Sequence, residues 1–240
     1  MATVIAETKT ALEPSESFAD IVERLESSES FADIAERLGD ISPDRIIWLP
    51  RPATEEDVVR LCEKKRLVEL IDGFLVEKAM GFRESLLAAL VINYLINFTK
   101  PRKLGMVGAP DAIMRLRPGQ VRLPDVSFVT WERLLATNAH TKKVAPLGPD
   151  LAVEILSEGN TRKEIDRKRH ELFEAGTKLI WVIDPKTRTA EVYDDPAQPD
   201  KMIPIGEAGA LDGGTVLPGF RLLLSELFAD LDPPAPPTGT

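Results

Sequence analysis

Two carboxylates sit where apolar side chains would be expected. In "RLPDVSFVTW" (122–131) Asp125 heads a run whose Val126, Phe128 and Val129 belong out of water. In "LAVEILS" (151–157) Glu154 interrupts Leu151, Ala152, Val153, Ile155 and Leu156. An unpaired carboxylate inside a strand carries a large desolvation cost, so Glu154 must be protonated, paired with a cation, or placed at a cleft. The two acids lie 29 residues apart, room enough for a loop and an antiparallel return. On adjacent strands they repel each other unless a divalent metal lies between them. All-oxygen ligation of this kind suits Mg²⁺ or Mn²⁺.

A lysine completes the set. In a helix expected from Thr161, Lys168 lies three residues after Ile165 and four before Leu172, on the packing face. An ammonium there can approach Glu154, hold an attacking water and offset phosphate charge in a transition state. Each of the three also has a purely structural role open to it. Asp125 could cap a turn, since Pro-Asp recurs at Pro43-Asp44, Pro110-Asp111, Pro149-Asp150 and Pro199-Asp200. Glu154 could pair with a core arginine such as Arg115, and Lys168 could reach solvent along its stem.

The elements that must position these residues follow from the apolar periodicity. "RLVELIDGFLVEKAM" (66–80) has apolar residues on both sides of Asp72-Gly73 and reads as a hairpin. Thr54, with Glu55, Glu56 and Asp57 behind it, starts a short helix after an extended connector. A helix is expected at about 83–98, strands near 105–116, 125–131 and 151–156, and a second helix at 161–175 opened by a Thr161–Glu164 capping box. Strands at 178–184 and 189–193 flank the Asp184-Pro185 turn, and a short helix closes the domain. Order and type together predict an α/β fold, a mixed β-sheet flanked by helices. Ahead of it, "SESFADIVERL" (15–25) recurs as "SESFADIAERL" (28–38), each copy with one helical stripe (Phe18, Ile21, Leu25; Phe31, Ile34, Leu38). Three parts result: an N-terminal helical extension with the tandem repeat (1–40), the α/β domain (41–230) and a Pro-rich tail (231–240), expected to be disordered.

Composition narrows the chemistry further. With 30 Lys+Arg against 39 Asp+Glu the net charge is −9, which disfavours indiscriminate coating of nucleic acid. The basic clusters at Arg115, Arg117 and Arg122, at Lys142 and Lys143, and in "RKEIDRKRH" (162–170) read as solvated faces. One cysteine, Cys62, and two histidines, His140 and His170, make a zinc site a poor expectation, and Cys62 alone can form no internal disulfide. No G-x-S-x-G, G-x-G-x-x-G or G-x-x-x-x-G-K-S/T motif occurs. "LLAALVINYLINF" (86–98) is too short to span a membrane, and the N-terminus lacks the features of a signal peptide. These features place the protein in the cytoplasm.

From about residue 36 to 230 the chain resembles the Uma-two family of endonucleases, a branch of the PD-(D/E)XK nuclease superfamily. The resemblance is carried by "ELIDGFLVEKAM", "RLPDVSFV", "LAVEILSEGNT", "RKRHELFEAG", "LIWVIDP" and "VLPGFRLLLSELF", in this order. It implies a restriction-endonuclease-like core, a Mg²⁺ or Mn²⁺ ion held by Asp125 and Glu154, and hydrolysis of DNA phosphodiesters. Asp125 resembles the superfamily's Pro-Asp acid and Glu154 its second acid. The superfamily lysine is expected two residues later, where this chain has Leu156, and Lys168 resembles the displaced lysine inferred in this branch. Glu84, in the first core helix, matches the position of an accessory metal-binding acid. Nucleases that cut both strands commonly act as dimers, which makes a homodimer an expectation. Relatives often have Ser-Pro-Ser where this chain has Ser157-Glu158-Gly159, and a tyrosine in place of Leu172. The rival expectation is a nuclease fold kept as a DNA-binding or protein-interaction module without catalysis, favoured by the net charge and by Leu156. A two-carboxylate glycoside hydrolase fits less well, because aromatics make up only 6% of the chain.

Overall fold

The computed structural model of the chain describes residues 31–233, so the first repeat copy and most of the Pro-rich tail lie outside the described residues. Helix α1 (Phe31–Arg37) precedes β1 (Ile46–Ile47) and α2 (Glu55–Glu63). The hairpin β2 (Val68–Ile71) and β3 (Phe74–Glu77) leads to the long helix α3 (Phe82–Arg102). Strands β4 (Gly105–Gly108), β5 (Met114–Arg117), β6 (Gln120–Arg122) and β7 (Val126–Thr130) are followed by α4 (Trp131–Thr137), β8 (Leu151–Ile155) and α5 (Arg162–Glu174). The chain closes through β9 (Leu179–Asp184), β10 (Thr189–Tyr193), β11 (Ile203–Ile205), β12 (Ala210–Asp212), β13 (Arg221–Leu223) and α6 (Leu224–Ala229).

Strands β8 and β9 are apolar on both faces, and such strands belong at the middle of a covered sheet. They pair in parallel, Leu151 opposite Leu179 through Ile155 opposite Ile183, with α5 as the crossover between them. The sheet runs β11-β10-β9-β8-β7-β4, and every other pairing in it is antiparallel. Side chains alternate between its faces. Val126, Phe128, Leu151, Val153 and Ile155 pack with Leu87, Val91 and Leu95 of α3 and Leu227 and Phe228 of α6. On the opposite face, Ala152, Ile180 and Val182 pack with Ile165, Leu172 and Phe173 of α5.

A second sheet, all antiparallel and ordered β1-β3-β2-β6-β5, holds the hairpin, whose turn has left-handed φ angles at Asp72 (48°) and Gly73 (81°). The stretch expected to be one strand at 105–116 therefore divides between two sheets, and β6, α4 and the strands after residue 200 add to the sequence expectation. The described end of the extension (31–40) is docked on the second sheet: Ile34 and Leu38 share a buried cluster with Ile41, Ile46, Ile71 and Val76. Gly39, at φ 109°, passes so close to α5 that a Cβ there would lie 2.8 Å from the Glu164 backbone. Among the described residues no helix is long and apolar enough to cross a membrane.

Candidate active site

The register of the central sheet brings the two acids together. Val126 pairs with Val153 and Phe128 with Leu151, and the same register extended one residue past the ladder sets Asp125 opposite Glu154. Opposed residues on antiparallel strands point to one face. Here it is the α5 face, because Val126 and Val153 occupy the other. The Ile155 N–H donates to Asp125 Oδ2 at 2.8 Å and locks that carboxylate to the neighbouring strand. Asp125 is 4% exposed and Glu154 5%.

Helix α5 reaches this spot because it is clamped between the two sheets. Its apolar stripe (Ile165, Leu172, Phe173) covers the central sheet, while a polar stripe at Glu164, Lys168 and Glu171 faces the second sheet. Lys168 Nζ donates to Glu154 Oε2 at 2.7 Å, lies 2.9 Å from Glu69 Oε1, and donates to the Leu123 carbonyl at 3.5 Å. Glu164 binds Arg45 through two hydrogen bonds of 2.9 and 2.7 Å. The capping box expected at Thr161–Glu164 is therefore only half made. Thr161 Oγ1 accepts from the Glu164 N–H, but the Glu164 carboxylate turns to Arg45 and Asn160 instead of the helix start.

Four buried charged residues at this site do not follow from the sequence reading. Glu69 on β2 and Arg122 on β6 form a cross-strand pair at 2.8 Å, and Arg122 Nε donates to Glu171 Oε2 at 2.7 Å. Lys78, just past β3, points inward with its side chain 5% exposed and its Nζ 2.8 Å from Asp125 Oδ1. Three residues assigned to solvated basic faces are thus interior: Arg122 is 1% exposed, Arg169 3% and Lys168 5%. Burial is stable for them because each meets carboxylates. Arg115 does not reach Glu154 but pairs with Glu55 at 3.3 Å, and Lys168 does not extend to solvent. The signal for Glu69 is the one that picked out Glu154: an acid inside an apolar strand, here "LVELI".

The charges tune one another. Burial pushes Glu154 up to about 7; Lys168 opposes that rise, while Asp125 adds to it. Burial would also raise Glu69, but Lys168 and Arg122 outweigh it and hold its carboxyl well below the usual range. Lys168 loses solvation too, yet the Glu154 and Glu69 carboxylates raise it far above an ordinary lysine. The two strand acids are thus accommodated by interleaved lysines, and their burial does not by itself demand a metal.

Their remaining valences do fit one. Asp125 Oδ1 and Glu154 Oε1 are buried and neither accepts a hydrogen bond. Lys78 lies at ion-pair distance from Asp125 Oδ1 without hydrogen-bond alignment. Two oxygen ligands with open acceptor positions suit Mg²⁺, which keeps several of its waters. Among the described residues no group of three or more His, Cys, Asp or Glu side chains is placed to hold a metal. Glu84 sits half-buried in the first turn of α3, its carboxylate folded over Gly81.

Comparison with known proteins agrees with this architecture. The family model Uma2, described as "Putative restriction endonuclease", matches residues 55–225, more than half of the chain. A crystal structure described as a putative nuclease belonging to DUF820 from Anabaena variabilis superposes with a TM-score of 0.65 at 21% identity. The match covers 75% of this chain and 99% of that one, and it establishes the fold as a restriction-endonuclease-like α/β core. No curated protein matches. The chain belongs to the Uma2 family.

Proposed function

We propose that the protein is a metal-dependent DNA endonuclease, with Asp125 and Glu154 as the ligands of Mg²⁺ or Mn²⁺. One observation carries this reading: two opposed, buried carboxylates each leave an oxygen without a hydrogen-bond donor, beside two buried ammonium groups. When bound, the ion supplies Lewis-acid polarisation of the scissile phosphate and lowers the pKa of a coordinated water.

The chain's own groups prepare the rest. The Ile155 N–H fixes Asp125 Oδ2, and Lys168 fixes Glu154 Oε2, so the free oxygen of each carboxylate is held in place. Glu154, with its pKa near 7, can hold a proton at mildly acidic pH and release it above neutrality. Lys168 keeps its positive charge against Glu154 at every working pH, because two carboxylates stabilise its protonated form. Arg122 and Glu69 hold Lys168 from behind. Cutting both strands would use two copies of the site in a homodimer.

The test is nicking of supercoiled plasmid with Mg²⁺ or Mn²⁺. Wild type converts it to open circles, whereas Asp125→Ala and Glu154→Ala leave it intact; undiminished nicking by either variant would refute the site. A second reading, a nuclease fold that binds DNA or protein without catalysis, is favoured by the ammonium already beside each strand acid and by the net charge of −9. Metal titration separates the two: a non-catalytic module shows no Mg²⁺-dependent thermal shift that vanishes in Asp125→Asn.

A further inference from the structure

Lys168 and Lys78 differ in how fully they are engaged. An ammonium has three N–H donors. Around Lys168 Nζ stand three oxygens: Glu154 Oε2 at 2.7 Å, Glu69 Oε1 at 2.9 Å and the Leu123 carbonyl at 3.5 Å. Two of these belong to buried carboxylates, one on each sheet, and leaving them would strand charge in the interior. Among the described residues Lys78 Nζ meets Asp125 Oδ1 at 2.8 Å, an ion pair without hydrogen-bond alignment, and the Pro110 carbonyl at 3.3 Å, so its donors are less committed than those of Lys168.

The two lysines also differ in their route to solvent. The two side chains are equally shielded, 5% exposed for Lys78 and 6% for Lys168, but Lys168 projects from a helix clamped between two sheets. Lys78 begins the segment 78–81, which runs outside any strand from β3 to α3 and is partly exposed along its length. That segment crosses the loop after β8, where Ser157 Oγ donates to the Ala79 carbonyl at 3.2 Å. A backbone phosphate entering past residues 78–81 therefore meets Lys78 before it meets Lys168.

We propose that Lys78 is the residue that contacts the DNA phosphate, and that Lys168 is a positioning residue that fixes Glu154 against Glu69. The inference rests on the nuclease reading only in that DNA enters this site. The missing lysine at position 156 is then replaced by two side chains, one for the substrate and one for the carboxylates.

The experiment measures binding rather than cutting. Anisotropy of a short fluorescein-labelled duplex is followed against salt concentration, with chelator present. Removing a cation that neutralises one phosphate lowers the slope of log K against log salt by about 0.9. Lys78→Met is compared in an Asp125→Asn background, so that both partners are neutral together and the fold is spared a stranded charge; thermal melts verify folding. The slope falls by about 0.9 between Asp125→Asn and Asp125→Asn/Lys78→Met. It stays unchanged between Glu154→Gln and Glu154→Gln/Lys168→Met. An unchanged slope on removing Lys78, an equal fall on removing Lys168, or no DNA binding by the wild type overturns the assignment. A slope change of the expected kind in a protein that never nicks plasmid upholds the Lys78 assignment while removing the nuclease reading.

Discussion

Replacing Glu154 by Gln should remove a pH dependence that the site builds into the whole fold. Glu154 is displaced from the ordinary glutamate value of 4.5 to about 7, first by burial and then by Asp125, against the pull of Lys168. Between those limits the folded chain holds a proton that the unfolded chain has released. The stabilisation is fully present below pH 4.5 and is lost as pH rises through about 7. The displacement corresponds to roughly 3 kcal/mol at full ionisation. Glu69 acts in the opposite sense, but its depressed pKa confines its contribution to more acidic conditions, outside this window. Urea unfolding of wild type and Glu154→Gln, with chelator, at pH 5, 6, 7 and 8 isolates the term by difference and cancels the histidines. The variant gains on wild type with rising pH by an amount on the order of 3 kcal/mol. Difference curves that stay parallel across this range would mean that Glu154 titrates normally and that its surroundings do not act on it as described. Adding Mn²⁺ at pH 8 should stabilise wild type, by about 2.7 kcal/mol at a hundredfold excess over its dissociation constant, and leave the variant unmoved.

Three other perturbations probe the surroundings. Arg122→Met takes the shared cation from buried Glu69 and Glu171, leaving one partner to each (Lys168 and Arg167), and should cost about 3–5 kcal/mol in denaturant unfolding; a loss below 1 kcal/mol would contradict the burial of that network. Gly39→Ala meets both a φ of 109° and the Glu164 backbone, so it should destabilise by more than about 1 kcal/mol, with protease cleavage near α1 the first symptom. Glu84→Ala should leave the metal-dependent thermal shift unaltered, and a lost shift would make Glu84 a ligand.

Most of the central sheet is legible because its signals are local. Doubly apolar runs mark β8 and β9, an Asp-Gly pair marks the hairpin, and Thr161 marks the start of α5. The strand acids announce themselves by interrupting such runs. Their partners are less legible for a physical reason: they come from another sheet, and nothing in the spacing of Glu69, Lys78 and Arg122 reveals which strands will face α5. The split of 105–116 is hidden likewise, since both halves are short and extended and only tertiary pairing assigns each to its sheet. The repeat is legible as a repeat, but not in its consequences. The second copy docks with Gly39 against α5, and the first copy carries Glu26 at the corresponding position. A side chain there would meet the Glu164 backbone, so the first copy cannot substitute in that seat.

The buried cluster also explains why one site would bind a proton and a divalent ion in competition. Its carboxylates are Glu69, Asp125, Glu154 and Glu171, and its cations are Lys78, Arg122 and Lys168, so the fully ionised set is one positive charge short. The shortfall belongs to the buried set alone; toward solvent, Arg167 joins Glu171 and pairs with Asp72, which also meets Arg37. Below neutrality the proton on Glu154 closes the gap. Above it, a metal ion at the free oxygens of Asp125 and Glu154 can do the same. Binding of Mg²⁺ should therefore release protons when measured near pH 6, and release progressively fewer as pH rises past 7. Calorimetry in buffers of different ionisation enthalpy reads that number directly. A proton count independent of pH across this range would show that metal and proton do not share Glu154, and charge balance would no longer be a reason to place the ion there.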